Sequence, residues 1–230
     1  MIVADRKPME EILAMLAPYK RVLVLACGGC VTVCVSGGEK QADLLASQLK
    51  LAAAAAGRAD VQFDVDCITR QCDREFAAML KKPLDQYDAV LSIACGVGVG
   101  FMSELAPQAT VLPGLNTTSY DASTAKGVWQ EYCGGCGDCL LAETGGICPI
   151  VRCSKGLTNG TCGGTKTGKC EVSKDMDCGW YLIFKKLQAA GKLELYTKVR
   201  PAKKWSKDRN GKGARRLTHK ELMETEEFSK

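Results

Sequence analysis

The chain has 230 residues, 46% of them apolar and 25% charged, with a formal net charge of +5. That length can bury a core in one or two domains, and the composition excludes a disordered or fibrous chain. No run of about 18 apolar residues offers a membrane span, and the opening "MIVADRKPMEEILAML" carries acids rather than the apolar core of a secretory signal.

Residues 8–19, "PMEEILAMLAPY", place apolar side chains at helical spacing between Pro8 and Pro18. "RVLVLA" (21–26) reads as a buried strand, and "GEKQADLLASQLKLAAAAAG" (38–57) as a helix closed by Gly57. "VQFDV" (61–65) follows as strand, "DREFAAMLKK" (73–82) as helix and "DAVLSIA" (88–94) as strand. A helix at 98–106 and a strand at "TVLP" (110–113) complete the alternation. Strands alternating with helices predict parallel pairing, so the fold class is α/β, a Rossmann-like three-layer domain over 1–120. After about residue 114 the pattern stops. A loop-rich, cysteine-rich segment over 121–192 ends in the helix "CGWYLIFKKLQAAG" (178–191). Residues 193–230 form a basic tail that includes "VRPAKKWSKDRNGKGARR".

Fourteen cysteines set the chemistry. They make up about 6% of the chain, below the roughly 8–10% of a disulfide scaffold. The expected location is the cytoplasm, where clustered thiols serve as metal ligands more often than as disulfides. Six follow a rule of placement: Cys27, Cys30 and Cys34 come after the first strand, Cys67 and Cys72 after the second, and Cys95 at the end of the third. In an open parallel sheet, functional groups gather beyond the carboxyl ends of the strands. Thiolates converging there repel one another unless a cation neutralises them, which predicts a metal centre. Cys27, Cys30 and Cys34 supply three sulfurs, with Cys72 or Cys95 as the fourth; Cys67 is the first candidate for an ordinary buried thiol. The glycines of "CGVGVG" (95–100) fall at every second position, unlike a dinucleotide fingerprint, and "SGGE" (36–39) is at most a weak phosphate signal.

Eight more cysteines lie in the glycine-rich segment 133–178, which has few apolar residues to form a core. Cys133, Cys136 and Cys139, spaced C-x2-C-x2-C, match the front of a ferredoxin run, and Cys148-Pro149 matches its closing Cys-Pro across a longer gap. With Cys153, Cys162, Cys170 and Cys178 they suffice for two [4Fe–4S] clusters, or one cluster and one zinc. The single histidine, His219, lies far away in the tail, so the ligand set is all sulfur. Metal–thiolate bonds would then hold the segment together. No nucleophile–His–acid set, Walker loop or metalloprotease helix is present. Several clusters without substrate chemistry point to one-electron transfer.

"ACGGCVTVCVSGGEKQ" (26–41), "RQCDREF" (70–76), "ACGVGVG" (94–100) and "LPGLNTT" (112–118) resemble the N-terminal part of the MetV family. "CGGCGDCLLAETGGICPIVRCSKGLTNGTCGGTKTGKCEV" (133–172) and "DCGWYLIFKKL" (177–187) resemble its C-terminal part, a methylenetetrahydrofolate reductase C-terminal, zinc-binding-type domain. The resemblance implies an iron–sulfur subunit that partners a flavin-containing, MetF-type methylenetetrahydrofolate reductase in the methyl branch of the reductive acetyl-CoA pathway. The partner would hold FMN or FAD and the folate, and ferredoxin or another donor module would supply electrons. Two or three [4Fe–4S] clusters are expected, with zinc in place of one C-terminal cluster as the alternative. Cys67 stands outside the family pattern, and the chain has no folate-binding barrel, so catalysis falls to the partner. The rival reading is a zinc-stapled, non-redox scaffold subunit. Neither membrane nor nucleic acid is an expected partner. The tail reads as a solvated segment or as a docking arm anchored by Trp205, and cutting it after residue 196 is expected to leave the metal centres unchanged.

Overall fold

The computed structural model of the chain describes residues 1–204 and Thr218. These fall into two compact units, Met1–Glu131 and the residues from Tyr132 onward. Trp205 and His219 lie outside the described residues. Among the described residues, no helix is long and apolar enough to cross a membrane.

The first unit opens with strand β1 (Ile2–Arg6), helix α1 (Met9–Leu16), strand β2 (Arg21–Cys27), the single turn α2 (Cys30–Val33) and helix α3 (Glu39–Ala55). Strand β3 (Gln62–Ile68), turn α4 (Arg74–Ala77), strand β4 (Ala89–Ile93), helix α5 (Gly96–Leu105) and strand β5 (Val111–Pro113) continue the alternation. The four strands form one parallel sheet in the order β3-β2-β4-β5. Every residue of β2 after Arg21 is buried, as a strand covered on both faces requires. Val22, Val24 and Ala26 pack with Ile12 and Leu16 of α1 and with Leu45 and Leu49 of α3. Leu23 and Leu25 point the other way, into a cluster with Ala77 of α4 and Met102 of α5. The result is the expected three-layer α/β arrangement. Helix α3 ends as its sequence implies: Gly57 takes φ +75°, and the Arg58 amide donates to the Ala53 carbonyl at 2.8 Å.

Two features depart from the sequence expectation. The predicted helix over 73–82 shrinks to the α4 turn, because the amides of Lys81 and Lys82 donate to the buried Asp66 carboxylate (3.0 and 3.1 Å). Pro83 then disfavours helical backbone at Lys82. A second sheet, order β1-β6-β7, is built from strand β6 (Leu115–Ala125) and strand β7 (Val128–Cys133), with β1 antiparallel to β6. Its strands are mostly exposed, so they lack the apolar runs by which the other four were recognised.

The second unit carries turn α6 (Pro149–Arg152), helix α7 (Gly179–Ala189) and turn α8 (Glu194–Thr197). Its small core joins Cys178, Trp180, Ile183 and Leu187, with Leu157 and Tyr196 packed against them. Tyr196 meets the rings of Trp180 and Phe184 edge-on, and the Trp180 indole donates to the Leu157 carbonyl at 2.9 Å. The start of the basic tail is mostly exposed, with two exceptions. Arg200 and Lys203 are buried within this unit, because each finds an acidic partner and carbonyl acceptors there.

Candidate metal centres

All fourteen cysteines are free thiols. Six belong to the first unit, and four of them lie at or just after the carboxyl ends of its parallel strands. Cys27 is the last residue of β2, Cys30 begins α2 and Cys95 caps α5 immediately after β4. The Gly28 amide donates to the Ile68 carbonyl at 2.8 Å, which ties the β2 end to the β3 end. Cys72 follows β3 and feels three other cysteines. Desolvation pushes its thiol up, and the nearby charges of Cys95, Cys27 and Cys30 push in the same direction. Burial and like charges of this kind favour the protonated thiol over the thiolate.

Gln71 places Cys72 in that group. It is fully buried, donates through Nε2 to the Leu25 carbonyl (2.9 Å) and accepts from the Ser92 hydroxyl (2.6 Å). One side chain therefore spans the ends of β2 and β4. Gly98 makes room for it: a Cβ there would stand 3.0 Å from the Gln71 Cβ. Neither Gln71 nor Ser92 carries a sequence signal, since a glutamine beside a cysteine resembles any polar loop residue.

Cys34 and Cys67 face other groups. The Cys34 sulfur lies 3.1 Å from the Ser36 hydroxyl and within 3.8 Å of the Ala4 carbonyl. Its neighbour Val35 holds φ +63°, a strained conformation for a β-branched residue. Cys67 sits within β3, and its thiol is pushed up by burial first, then by Glu39 and Cys27.

The eight cysteines of the second unit divide by position. Cys133, Cys136, Cys139 and Cys148 line one cavity of about 170 Å³, together with Tyr132, Leu141 and Ile150. Gly135 and Gly137 take φ +65° and +75°, which lets the loop curl tightly between its cysteines. The Gly135 amide donates to the Cys133 sulfur at 3.4 Å. The remaining four are not among the residues that line this cavity. Residues 168–178 fold back on themselves, with the Cys178 amide on the Gly168 carbonyl (2.8 Å) and the Cys170 amide on the Met176 carbonyl (2.9 Å). Cys170 lies 3.4 Å from the Ser154 hydroxyl, which holds its thiol below the ordinary range. Cys162 donates to Glu171, and the hydrogen bond to Glu171, helped by the nearby Cys162 and Cys170, pushes the Lys155 ammonium up. Cys153 packs against the core that contains Cys178.

Among the described residues, no three His, Cys, Asp or Glu side chains close around a single point as the ligands of one ion. The thiols line a cavity and a sheet edge instead. A ligand set made entirely of thiols is chemically suited to iron–sulfur clusters or to zinc, and free sulfurs around a cavity fit either. Neither the curated proteins nor the solved structures include a significant match to the chain. The family model described as methylene-tetrahydrofolate reductase C terminal matches residues 112–206, and over that span the chain is similar to that domain.

Proposed function

We propose that the chain is an iron–sulfur electron-transfer subunit of a methylenetetrahydrofolate reductase complex. The observation that carries this reading is the cavity of about 170 Å³ lined by Cys133, Cys136, Cys139 and Cys148. On the same measure a site for one water needs about 10–15 Å³, so this space is wide enough for a polyatomic inorganic group. Cys27, Cys30, Cys72 and Cys95 would hold a second cluster at the sheet edge. Cys153, Cys162, Cys170 and Cys178 would hold a third cluster or a zinc ion. When bound, such clusters exchange single electrons, at potentials set by burial, nearby charge and hydrogen bonds to sulfur.

The chain's own residues supply those levers. The Gly135 amide donates toward the Cys133 sulfur, and the buried Gln71–Ser92 pair holds the Cys72 loop against β2 and β4. Cys30 and Cys72 are exposed, with Val33 (58%) and Val97 (57%) exposed on α2 and α5 beside the same edge. An accessible thiol site with apolar neighbours suits close approach of a protein partner. In this reading the partner is a flavoprotein that binds FMN or FAD and reduces 5,10-methylenetetrahydrofolate to 5-methyltetrahydrofolate. Electrons arrive from ferredoxin or another donor module.

Iron, acid-labile sulfide and zinc analysis of anaerobically purified protein tests the proposal. Brown protein with about four irons per site supports it. Colourless protein with stoichiometric zinc and no sulfide replaces it with the zinc-stapled scaffold.

A further inference from the structure

The sequence places the basic residues after 197 in a solvated tail, yet two of them are among the most buried charges of the second unit. The side chain of Arg200 is 4% exposed and that of Lys203 is 1% exposed. A buried charge is costly unless it is paired and hydrogen-bonded, so each must have a built environment. Arg200 has one. Its Nε donates to the Glu143 carboxylate at 2.5 Å, and its guanidinium also donates to the carbonyls of Glu143 (2.9 Å) and Thr158 (3.3 Å). Its backbone amide and carbonyl both bond to the Asn159 side chain, at 2.8 and 3.0 Å. This anchor fixes the chain just before Lys203.

Lys203 in turn reaches the cysteine loop. Its ammonium donates to the Asp138 carbonyl and lies 3.8 Å from the Asp138 carboxylate. The Lys204 amide donates to the same carboxylate at 3.3 Å. Asp138 is one of the two residues between Cys136 and Cys139, and the Cys136 thiol shares its carbonyl as an acceptor, at 3.8 Å. The segment therefore grips the loop at the residue flanked by two of the cavity's thiols.

We propose that residues 198–204 are a strap whose Lys203 is a positioning and charge-supplying residue for the Cys133–Cys136–Cys139–Cys148 site. The strap fixes the loop through Asp138. Its buried ammonium favours the more negative state of whatever anionic metal–thiolate group the loop carries. The charge part rests on the metal–thiolate reading above; the positioning part does not. Position 203 lies 64 residues beyond Cys139, so the metal site is incomplete without the start of the tail.

The test uses the full chain with Lys203→Met, which keeps most of the length and loses the charge, and Lys203→Arg, which keeps the charge. Amide hydrogen exchange over 134–139 in the metal-free chain reads positioning. The expected result is exchange at least about tenfold faster in Lys203→Met, as loss of a charge-assisted hydrogen bond implies, and largely restored in Lys203→Arg. After iron–sulfide reconstitution, the reduction potential of the second-unit centre should fall in Lys203→Met and recover in Lys203→Arg, while the sheet-edge centre does not move. Wild-type exchange and an unmoved potential in Lys203→Met overturn the proposal. If the loop binds no metal but its exchange responds, the iron–sulfur reading fails and the strap stands. A chain ending at residue 199 should match Lys203→Met in exchange; wild-type exchange in that chain also overturns the strap.

Discussion

Gln71 shows how much of a thiol site rests on residues that bear no thiol. Its amide bridges the Leu25 carbonyl and the Ser92 hydroxyl in the interior, one residue from Cys72. Ser92→Ala would leave the buried Oε1 of Gln71 without its donor. The expected cost is about 1–3 kcal/mol, read as a lower urea midpoint with an unchanged slope. A midpoint equal to wild type would mean that the pair contributes nothing to holding the loop. Glu143 poses a different question, about acid. Its carboxyl is held below the usual carboxylate range by hydrogen bonds from Lys198 and Arg200. A depressed folded-state value contributes stability above the unfolded value and loses it as pH falls through the folded one. Release of the 198–204 segment is therefore expected only in acid, below the ordinary carboxylate range, with no change near neutrality. Proteolytic cleavage around Arg200 as a function of pH measures this; release on going from neutral to alkaline pH would have the wrong sign.

At the scale of elements, the two units hold their cysteines by different means. In the first, layers of Leu, Val and Ala on both faces of a parallel sheet fix the strand ends, so the thiols sit on a prebuilt edge. In the second, one small core around Trp180 and Ile183 backs a segment of turns. Binding energy of a structural metal is folding energy for such a segment. Cys136→Ala is therefore expected to open 133–178 while sparing the sheet. Limited proteolysis of the metal-loaded protein should cut first within that segment, with Met1–Glu131 surviving as a stable fragment. Uniform loss across the chain would show that the two units do not fold separately.

For the molecule as a whole, thiols are the concentrated chemistry, and the proposed role is to carry electrons to a catalytic partner. The purified chain alone is expected to reduce no methylenetetrahydrofolate with any electron donor. Addition of a flavin-containing reductase should restore donor-driven turnover, followed as product formation under anaerobic conditions. Turnover by the isolated chain would assign it a catalytic site of its own.

The alternation from Arg21 to Pro113 was readable because a sheet covered on both faces needs continuous apolar strands, and β2 and β4 have them. With parallel pairing, chain order alone puts Cys27, Cys72 and Cys95 at one edge. The C-x2-C-x2-C loop was equally legible, since its cysteine spacing is local. The second sheet was not: β1 pairs with β6 through register partners such as Val3 and Ser119, and although Ile2, Ala4 and Leu115 pack against the first core, neither strand has an apolar run to mark it. Sequence order also could not show that Cys34 turns toward Ser36 while Cys72 feels the charges of Cys95, Cys27 and Cys30. Nor could it separate Arg200 and Lys203 from the other basic residues of the tail. Their burial depends on Glu143 and Asp138, 57 and 65 residues earlier. Periodicity and spacing record what a residue does with its near neighbours; partners that distant are brought together only when the chain has folded.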